Sequence, residues 1–230
     1  MIWPTAFDYE DVKRSDRALA YLELEKDPVF PHLTKEQRLY YVDFALRVGH
    51  DQAALFHGAD VFGLAREFGL KVDIQKAANT VAGVTLRACY DEKKRTVEIF
   101  GDSIEQMQQE LAHWLPWPLT FAQIAALHLA HELFHHLEAT RIQPVDRQLP
   151  SVTIWRFGRF GITIQSRARR CREIAAHAFA KRMCDFPFFP NALDLSVTVA
   201  GQEPALSQLQ NSLKQAQLIT GCSPRADLTP

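Results

Sequence analysis

The order of apolar and polar residues predicts helices early in the chain, followed by a short strand. Thr34 and Gln37 form a capping box ahead of apolar residues at helical spacing. Asp60 precedes the segment VFGLAREFG, whose helical pattern ends at Gly69. The residues that follow, LKVDI, are typical of a strand. We therefore expect two early helices and then a strand.

Two later segments alternate apolar and polar residues on both sides of a turn. In TLRACYDEKKRTVEIF, the predicted strands Thr85–Tyr90 and Thr96–Phe100 flank a charged turn. In VTIWRFGRFGITI, residues 152–164, β-branched and aromatic residues surround Gly158 and Arg159. Each segment predicts a β-hairpin.

The second half of the chain is mostly helical in its pattern. Three helices are predicted from residues that suit a helix N-cap, namely Ser103 with Gln106, Thr120 with Gln123, and Ser166. The helix after Ser166 is expected to end near Met183, before a proline-rich stretch. A last helix, residues 204–220, carries a leucine stripe before Gly221. Packing of this stripe on its own domain is the simpler interpretation, and a partner surface is the alternative.

Composition narrows the class of protein. The 230 residues are 47% hydrophobic, and 26 basic against 27 acidic side chains leave a net charge of −1. This balance disfavours a disordered chain, a general nucleic-acid binder and a polybasic membrane protein. No export signal or membrane span is evident, and the four cysteines are scattered. We expect a cytosolic protein without a membrane anchor, and the sequence does not indicate an oligomeric state.

One local charge excess stands out from this balance. Eight arginines lie between Arg141 and Arg172, and only Asp146 opposes them in that stretch. A solvated basic face is the simpler interpretation, because no nucleic-acid motif accompanies the arginines. A surface for an acidic substrate segment is the alternative.

The helix after Thr120 carries the strongest chemical signal. His131, Glu132 and His135 form the pattern HExxH, and a spacing of four places both imidazoles on one helix face. A zinc ion held in this way lowers the pKa of its bound water towards 7, and the adjacent glutamate can take that proton. The sequence therefore predicts a Zn²⁺ centre with Glu132 as general base. Histidines that merely cover a polar helix face are the alternative.

A catalytic zinc ion usually has three protein ligands and one open position. Glu138 lies on the same helix face, but it is about 10 Å along the axis from His131, too far to complete one site. The glycine and histidine that the metzincin pattern requires after His135 are absent. Beyond Glu138 the only glutamates are Glu173 and Glu203. Glu173 lies in the predicted helix CREIAAHAFAKRM and is therefore the expected third ligand.

Other residues are candidates for shaping the site. His177 follows Glu173 by four residues on the same helix face. It can support a ligand, donate to the developing oxyanion or compete as a ligand, and a surface histidine is the alternative. Tyr90 and Arg172 are candidates for polarising a substrate carbonyl, although the sequence does not place them near the metal.

Taken together, these segments resemble the ImmA/IrrE-type metallopeptidases of bacteria and their mobile elements. AREFGLKVDI is similar to the opening helix and strand of that family, and HELFHH to its active-site motif. EIAAHAFAKRM followed by DFPFFP is similar to its closing element. The resemblance implies that His131, His135 and Glu173 bind zinc and that Glu132 is the base. It also implies a cytosolic regulatory protease that cuts a specific protein, such as a phage or stress-response repressor.

The chain departs from the family pattern in two ways. His177 stands where the family element has asparagine, which leaves the role of this position open. In addition, 37 residues separate His135 from Glu173, and they include the second predicted hairpin. A hairpin at this place can cover the cleft or help to bind an extended chain by strand addition.

The predicted fold class is α+β. A helical N-terminal section, residues 1–57, packs on a zincin-like catalytic domain, residues 58–190, which is followed by a tail, 191–230, with one helix. The predicted function is that of a zinc-dependent metalloendopeptidase acting on a cytosolic protein or peptide substrate. A non-catalytic metal-binding regulatory or sensor module with the same fold is the alternative, and a hydrolase of non-peptide amides is a third hypothesis.

Overall fold

The computed structural model describes residues 9–81, 84–113, 115–157 and 162–222, which form a mixed α+β fold. The helices are α1 (Tyr9–Lys13), α2 (Asp16–Glu25), α3 (Lys35–Ala54), α4 (Val61–Glu67), α5 (Gly101–Leu111), α6 (Phe121–Thr140), α7 (Val145–Gln148), α8 (Arg170–Met183), α9 (Asn191–Val199) and α10 (Glu203–Thr220). The strands are β1 (Lys71–Gln75), β2 (Asn79–Val81), β3 (Val84–Leu86), β4 (Ala88–Asp91), β5 (Thr96–Phe100), β6 (Val152–Phe157) and β7 (Ile162–Ser166). A 3₁₀ turn, Phe30–His32, precedes α3.

A three-stranded sheet with the order β1-β5-β4 supports one side of α6. β4 and β5 form the predicted antiparallel hairpin, and β1, the predicted LKVDI strand, pairs with β5 in parallel. Val97 and Ile99 of β5 are fully buried. This arrangement leaves β4 at one edge of the sheet.

The first predicted strand of this hairpin, residues 85–90, is divided at a bend. Ala88 to Asp91 pair with β5, whereas Val84–Leu86 pairs with β2 in a separate two-stranded sheet. The reason is the length of β5: Ala88 pairs with Ile99, and α5 begins at Gly101. Too little of β5 remains to pair with the residues before Arg87.

Three predicted helix N-termini are confirmed by their hydrogen bonds. The side chains of Thr34 and Thr120 each accept from the N3 backbone N–H of complete capping boxes. The Asp60 carboxylate accepts from the Gly63 N–H at 2.7 Å. Each cap satisfies a backbone donor that has no partner within its helix.

Two predicted caps are wrong. α5 begins at Gly101, directly after β5, so Ser103 lies inside the helix and is fully buried. α8 begins at Arg170, because Ser166 is still part of β7 and pairs with Val152. In both cases an adjoining strand fixes the backbone, and this overrides the local preference of serine for a cap.

The second hairpin is present as β6 and β7, and its predicted turn residues, Gly158 and Arg159, lie outside the described residues. Trp155 pairs with Ile164 across the two strands, and about half of each side chain is exposed. The hairpin lies between α7 and α8 in the chain.

The region after residue 190 contains two helices, whereas the sequence predicts one. The predicted helix corresponds to α10, which ends at Gly221 with a left-handed φ of 73°. The additional helix is α9, NALDLSVTV, whose β-branched residues have low helix propensity. Burial of Ala192 and Leu193 accounts for a helix that local preference does not predict.

Helix packing positions the two elements that matter for the site. α8 packs against α6 and, most extensively, against α3. α3 can approach α8 closely because residue 49 is glycine: a Cβ there would lie 2.2 Å from the carbonyl oxygen of Ala175. Within the described ranges, no helix has both the length and the apolar character needed to cross a bilayer.

Candidate metal centre

Two packed helices carry the predicted ligands. α6 holds His131, Glu132 and His135, and α8 holds Glu173 in its first turn. Contact between α6 and α8 brings together side chains that are 42 positions apart in the chain. The packing therefore places the Glu173 carboxylate beside the HExxH motif.

Donor atoms of three residues converge on a common space. The Nε2 atoms of His131 and His135 are 3.2 Å apart. Glu173 Oε2 lies 3.3 Å from His131 Nε2, and its Oε1 lies 3.6 Å from His135 Nε2. Since one donor from each residue falls within 4.8 Å of the others, this group can hold a metal ion. No other such group of histidine, cysteine and acidic side chains occurs in the part of the chain that the structure describes.

The group pairs an ionised carboxylate with a protonated imidazole when no metal ion is bound. Burial alone would raise the pKa of Glu173, but hydrogen bonds and charge from His131 and His135 hold it far below its ordinary value. Burial would likewise lower the pKa of His135, but hydrogen bonds to Glu138 and Glu173 raise it to about 10. Glu173 is therefore ionised at neutral pH, which is the form that a metal ion requires.

Glu138 binds the Nδ1 side of the His135 ring, whereas Nε2 faces the other donors. Its Oε2 accepts hydrogen bonds from His135 Nδ1 at 3.1 Å and from Arg172 Nε at 3.0 Å. Its Oε1 accepts from the backbone N–H of Val145 at 2.9 Å. A bond from Nδ1 to a carboxylate leaves Nε2 directed at the site, where a metal ion would replace its proton. Glu138 thus orients the ring of His135, a predicted ligand, and the sequence analysis missed this role.

The sequence did contain a signal for this role. Glu138 follows His135 by three residues, a spacing that places both side chains on one face of a helix. What the sequence could not supply was the burial of Glu138, which is 3% exposed, or its pairing with Arg172. Arg172, predicted as a candidate to polarise a carbonyl, is instead bound to Glu138.

The predicted base, Glu132, faces the edge of the sheet. Its Oε2 accepts a hydrogen bond from the backbone N–H of Tyr90 at 3.0 Å. The Tyr90 hydroxyl lies 2.8 Å from Nδ1 of His136. Tyr90 therefore meets Glu132 through its backbone, and its hydroxyl is engaged with His136 and not directed at the three converging donors.

His177 packs on one of the predicted ligands. Its ring centroid is 4.5 Å from that of His131 and 5.4 Å from that of Phe189. Burial lowers the pKa of His177 well below its ordinary value, so the ring is neutral at pH 7. Its Nδ1 is buried and finds no hydrogen-bond partner among the described residues. His177 lies outside the group of three converging donors.

Comparisons with protein-family models, with curated proteins and with solved structures find no match for this chain.

Proposed function

We propose that the protein is a zinc-dependent metalloendopeptidase with a zincin-like site, which hydrolyses peptide bonds in a specific cytosolic protein. The size of the donor triangle carries this proposal. Tetrahedral zinc with bonds of about 2.0–2.2 Å places its ligand atoms roughly 3.3–3.6 Å apart. The Nε2 atoms of His131 and His135 are 3.2 Å apart, and the carboxylate of Glu173 places Oε2 3.3 Å from the first and Oε1 3.6 Å from the second. These residues fit three ligands of one tetrahedral ion.

The group is partly accessible to solvent, as catalysis requires. Glu173 exposes 37% of its side chain, whereas His131 and His135 expose 14% and 16%. No fourth protein donor joins the group within the described ranges. A three-ligand site with access to solvent is typical of catalytic zinc, whereas structural zinc usually has four protein ligands.

Glu132 is the base in this proposal. The hydrogen bond from the Tyr90 N–H holds its carboxylate between α6 and β4, and its charge acts on His135. A bound zinc ion would supply Lewis acidity, which lowers the pKa of water and polarises the scissile carbonyl. Glu132 takes the proton from the attacking water and passes it to the leaving amine.

The edge of the sheet supports a peptide as the substrate. β4 is an outer strand in the order β1-β5-β4, and it adjoins Glu132 through Tyr90. An outer strand offers to an extended chain those backbone donors and acceptors that are not already bound, as the Tyr90 N–H is to Glu132. A peptide paired with β4 would run past the predicted base.

The proposed relationship is to the ImmA/IrrE-type metallopeptidases, with a regulator or repressor as the substrate. Its support is that HELFHH and EIAAHAFAKRM, on which the resemblance rests, lie on the two helices that supply the converging donors. The metal content and the chemistry can be tested separately.

Elemental analysis tests the ligand set. We expect about one zinc per chain in the wild type after loading and dialysis, and a clear deficit in Glu173→Ala. Glu67→Ala, which removes an exposed glutamate of α4, is the control and should keep its zinc. Equal zinc in the wild type and Glu173→Ala would contradict Glu173 as a ligand.

Glu132→Gln tests the chemistry. The variant should keep its zinc and lose about 10²- to 10⁴-fold in the rate of substrate cleavage, because only the proton acceptor is removed. The readout is mass spectrometry of new protein termini in cells that contain the wild type or the variant. Glu105→Gln, at an exposed position of α5, should cleave normally. Full biological activity in Glu132→Gln, together with its loss in His131→Ala, would favour the regulatory module instead.

A further inference from the structure

Two arginines in the connection from β7 to α8 have no acidic partner in the part of the chain that the structure describes. Arg169 is exposed, and it makes no salt bridge with any described residue. Arg167 donates from Nη1 to the backbone oxygens of Asp146, at 3.1 Å, and Leu149, at 3.3 Å. These carbonyls hold the guanidinium in place but carry no net charge. The charges of Arg167 and Arg169 are therefore not neutralised by an ion pair.

The neighbouring arginines of α8 differ in this respect. Arg170 Nη1 lies 2.9 Å from Glu23 Oε1, and Arg172 Nε lies 3.0 Å from Glu138 Oε2. Both acids are buried, so these two pairs fix α8 against α2 and α6. Arg169 has no such packing role, and its guanidinium is available to a ligand.

Helix geometry places Arg169 beside the candidate metal centre. Arg169 is the N-cap residue of α8 and has helical backbone angles, with φ −65° and ψ −26°. Its carbonyl oxygen accepts from the Arg172 N–H at 3.0 Å, which closes the first turn. Glu173 follows Arg169 by four residues, and this spacing brings two Cβ atoms within about 5–6 Å on one helix face. The Arg169 side chain therefore begins one turn from the carboxylate that is proposed to bind the metal ion.

This face of α8 becomes more accessible towards Arg169. On the other side of Glu173, the ring of His177 packs against His131, with centroids 4.5 Å apart, and against Phe189, at 5.4 Å. Glu173 exposes 37% of its side chain, and Arg169 is exposed. The accessible side of the centre therefore lies towards the N-terminal end of α8, where Arg169 is.

The Glu173 carboxylate does not engage Arg169. Its oxygens lie 3.3 Å from His131 Nε2 and 3.6 Å from His135 Nε2, and it makes no salt bridge with Arg169. A bound metal ion would neutralise the charge of Glu173 further. The guanidinium of Arg169 is thus left for an anionic group that enters from solvent.

We propose that Arg169, supported by the charge of Arg167, forms a subsite for an acidic side chain, glutamate or aspartate, of a peptide bound at the metal centre. The inference rests on the proposed function, since it assigns the substrate preference of the same site. A guanidinium binds a carboxylate through two parallel N–H donors. Since an extended peptide advances about 3.3 Å per residue, an acidic side chain one or two residues from the reacting bond can reach Arg169.

The chemistry of the chain favours a carboxylate over other partners. A lysine or arginine of the substrate at this place would meet two like charges, which is unfavourable. A nucleic-acid strand is the competing anion, but the chain has a net charge of −1 and no nucleic-acid motif. An acidic peptide is therefore the expected ligand.

Peptide hydroxamates test the subsite without turnover, because the hydroxamate group binds the metal ion. The probes are matched tripeptide hydroxamates with glutamate or glutamine next to the hydroxamate, in two series that place this residue before or after it. The two side chains differ in charge but hardly in size. We expect the glutamate member of one series to bind the zinc-loaded protein about twofold to fivefold more tightly, as for an exposed ion pair. Arg169→Gln should abolish this preference.

Two further variants keep the test decisive. Arg169→Lys retains the charge and should retain the preference. Arg182→Gln removes the same charge at an exposed position in the last turn of α8, and it should also keep the preference. Equal binding of glutamate and glutamine in both series, or a preference that survives in Arg169→Gln, would overturn the subsite and leave the metal centre in place. Failure of every hydroxamate to bind would contradict the metal centre itself, and the subsite with it.

A single-stranded DNA oligonucleotide tests the competing anion. We expect no binding to the zinc-loaded protein at physiological salt. Oligonucleotide binding that Arg169→Gln weakens, together with equal binding of the two hydroxamates, would assign these arginines to nucleic acid and overturn the proposal.

Discussion

At the scale of single residues, Glu138 fixes the ring of His135, one of the three proposed metal ligands. Three donors converge on its carboxylate: His135 Nδ1, Arg172 Nε and the N–H of Val145. Burial would raise the pKa of Glu138, but these donors and the Arg172 charge hold it below its ordinary value. The carboxylate is thus ionised and fully engaged. An amide has one oxygen and cannot accept all three hydrogen bonds.

We therefore predict that Glu138→Gln weakens zinc binding about 10- to 100-fold, because His135 loses the partner that fixes its ring. Competition against a chromophoric chelator measures this affinity. Glu67→Gln, at an exposed position, is the control and should bind zinc normally. An unchanged affinity in Glu138→Gln would show that helix packing alone orients His135.

Single residues also show what the sequence could and could not predict about the site. His131 and His135 follow from one helical turn, which is a local property. Glu173 could be proposed only by elimination among the later glutamates, and its place beside the histidines depends on how α8 packs on α6. The pairing of Glu138 with Arg172 has no local signal, because the two residues are 34 positions apart and meet only through the fold.

At the scale of elements, the spacing of α3 and α8 depends on Gly49. A Cβ at this position would lie 2.2 Å from the Ala175 carbonyl oxygen and 2.8 Å from the Ala178 Cβ. Both atoms belong to a packed helix that cannot yield locally. We predict that Gly49→Ala lowers the free energy of unfolding by about 2–3 kcal/mol, measured by urea denaturation of the metal-free protein.

A second glycine offers a control for this prediction. A Cβ at Gly63 in α4 would come closer than 3.4 Å only to Oδ2 of Asp60, at 3.2 Å, and this side chain needs to shift by only a few tenths of an ångström. Gly63→Ala should therefore change stability by less than about 1 kcal/mol. Equal effects of the two substitutions would mean that helix propensity, and not the contact between α3 and α8, sets the outcome.

The helix caps show where a sequence pattern predicts the start of a helix correctly. Thr34 and Thr120 were predicted correctly, because each follows a loop and is free to adopt the extended cap conformation. Ser103 and Ser166 were predicted wrongly, because β5 continues directly into α5 and β7 includes Ser166. A cap pattern is thus informative only where no strand already fixes the backbone.

At the scale of the whole molecule, the arginine-rich stretch is compensated by distant acids. Arg170 Nη1 lies 2.9 Å from Glu23 Oε1 in α2, and Arg172 is bound to Glu138 in α6. The local excess between residues 141 and 172 therefore serves in part to hold α8 against its neighbours. A count of charges along the sequence does not show this compensation, because the acidic partners lie outside residues 141–172.

Zinc binding at the proposed site should also raise the stability of the whole fold. The ligands come from α6 and α8, so binding joins two helices of the core. An ion that binds only the folded chain at a thousandfold excess over its Kd adds about 4.1 kcal/mol to the free energy of unfolding. For a chain of 230 residues, we therefore predict that zinc raises Tm by about 8–16 °C relative to a chelator.

Two variants distinguish the binding of zinc from its role in catalysis. His131→Ala should show no zinc-dependent shift of Tm in calorimetry, because it lacks a ligand. Glu132→Gln should show the full shift, because Glu132 lies against the Tyr90 N–H and is outside the donor group. A shift that persists in His131→Ala would mean that zinc stabilises the fold from another place. A shift lost in Glu132→Gln would mean that this carboxylate is a ligand, and a base would then have to be sought elsewhere in the cleft.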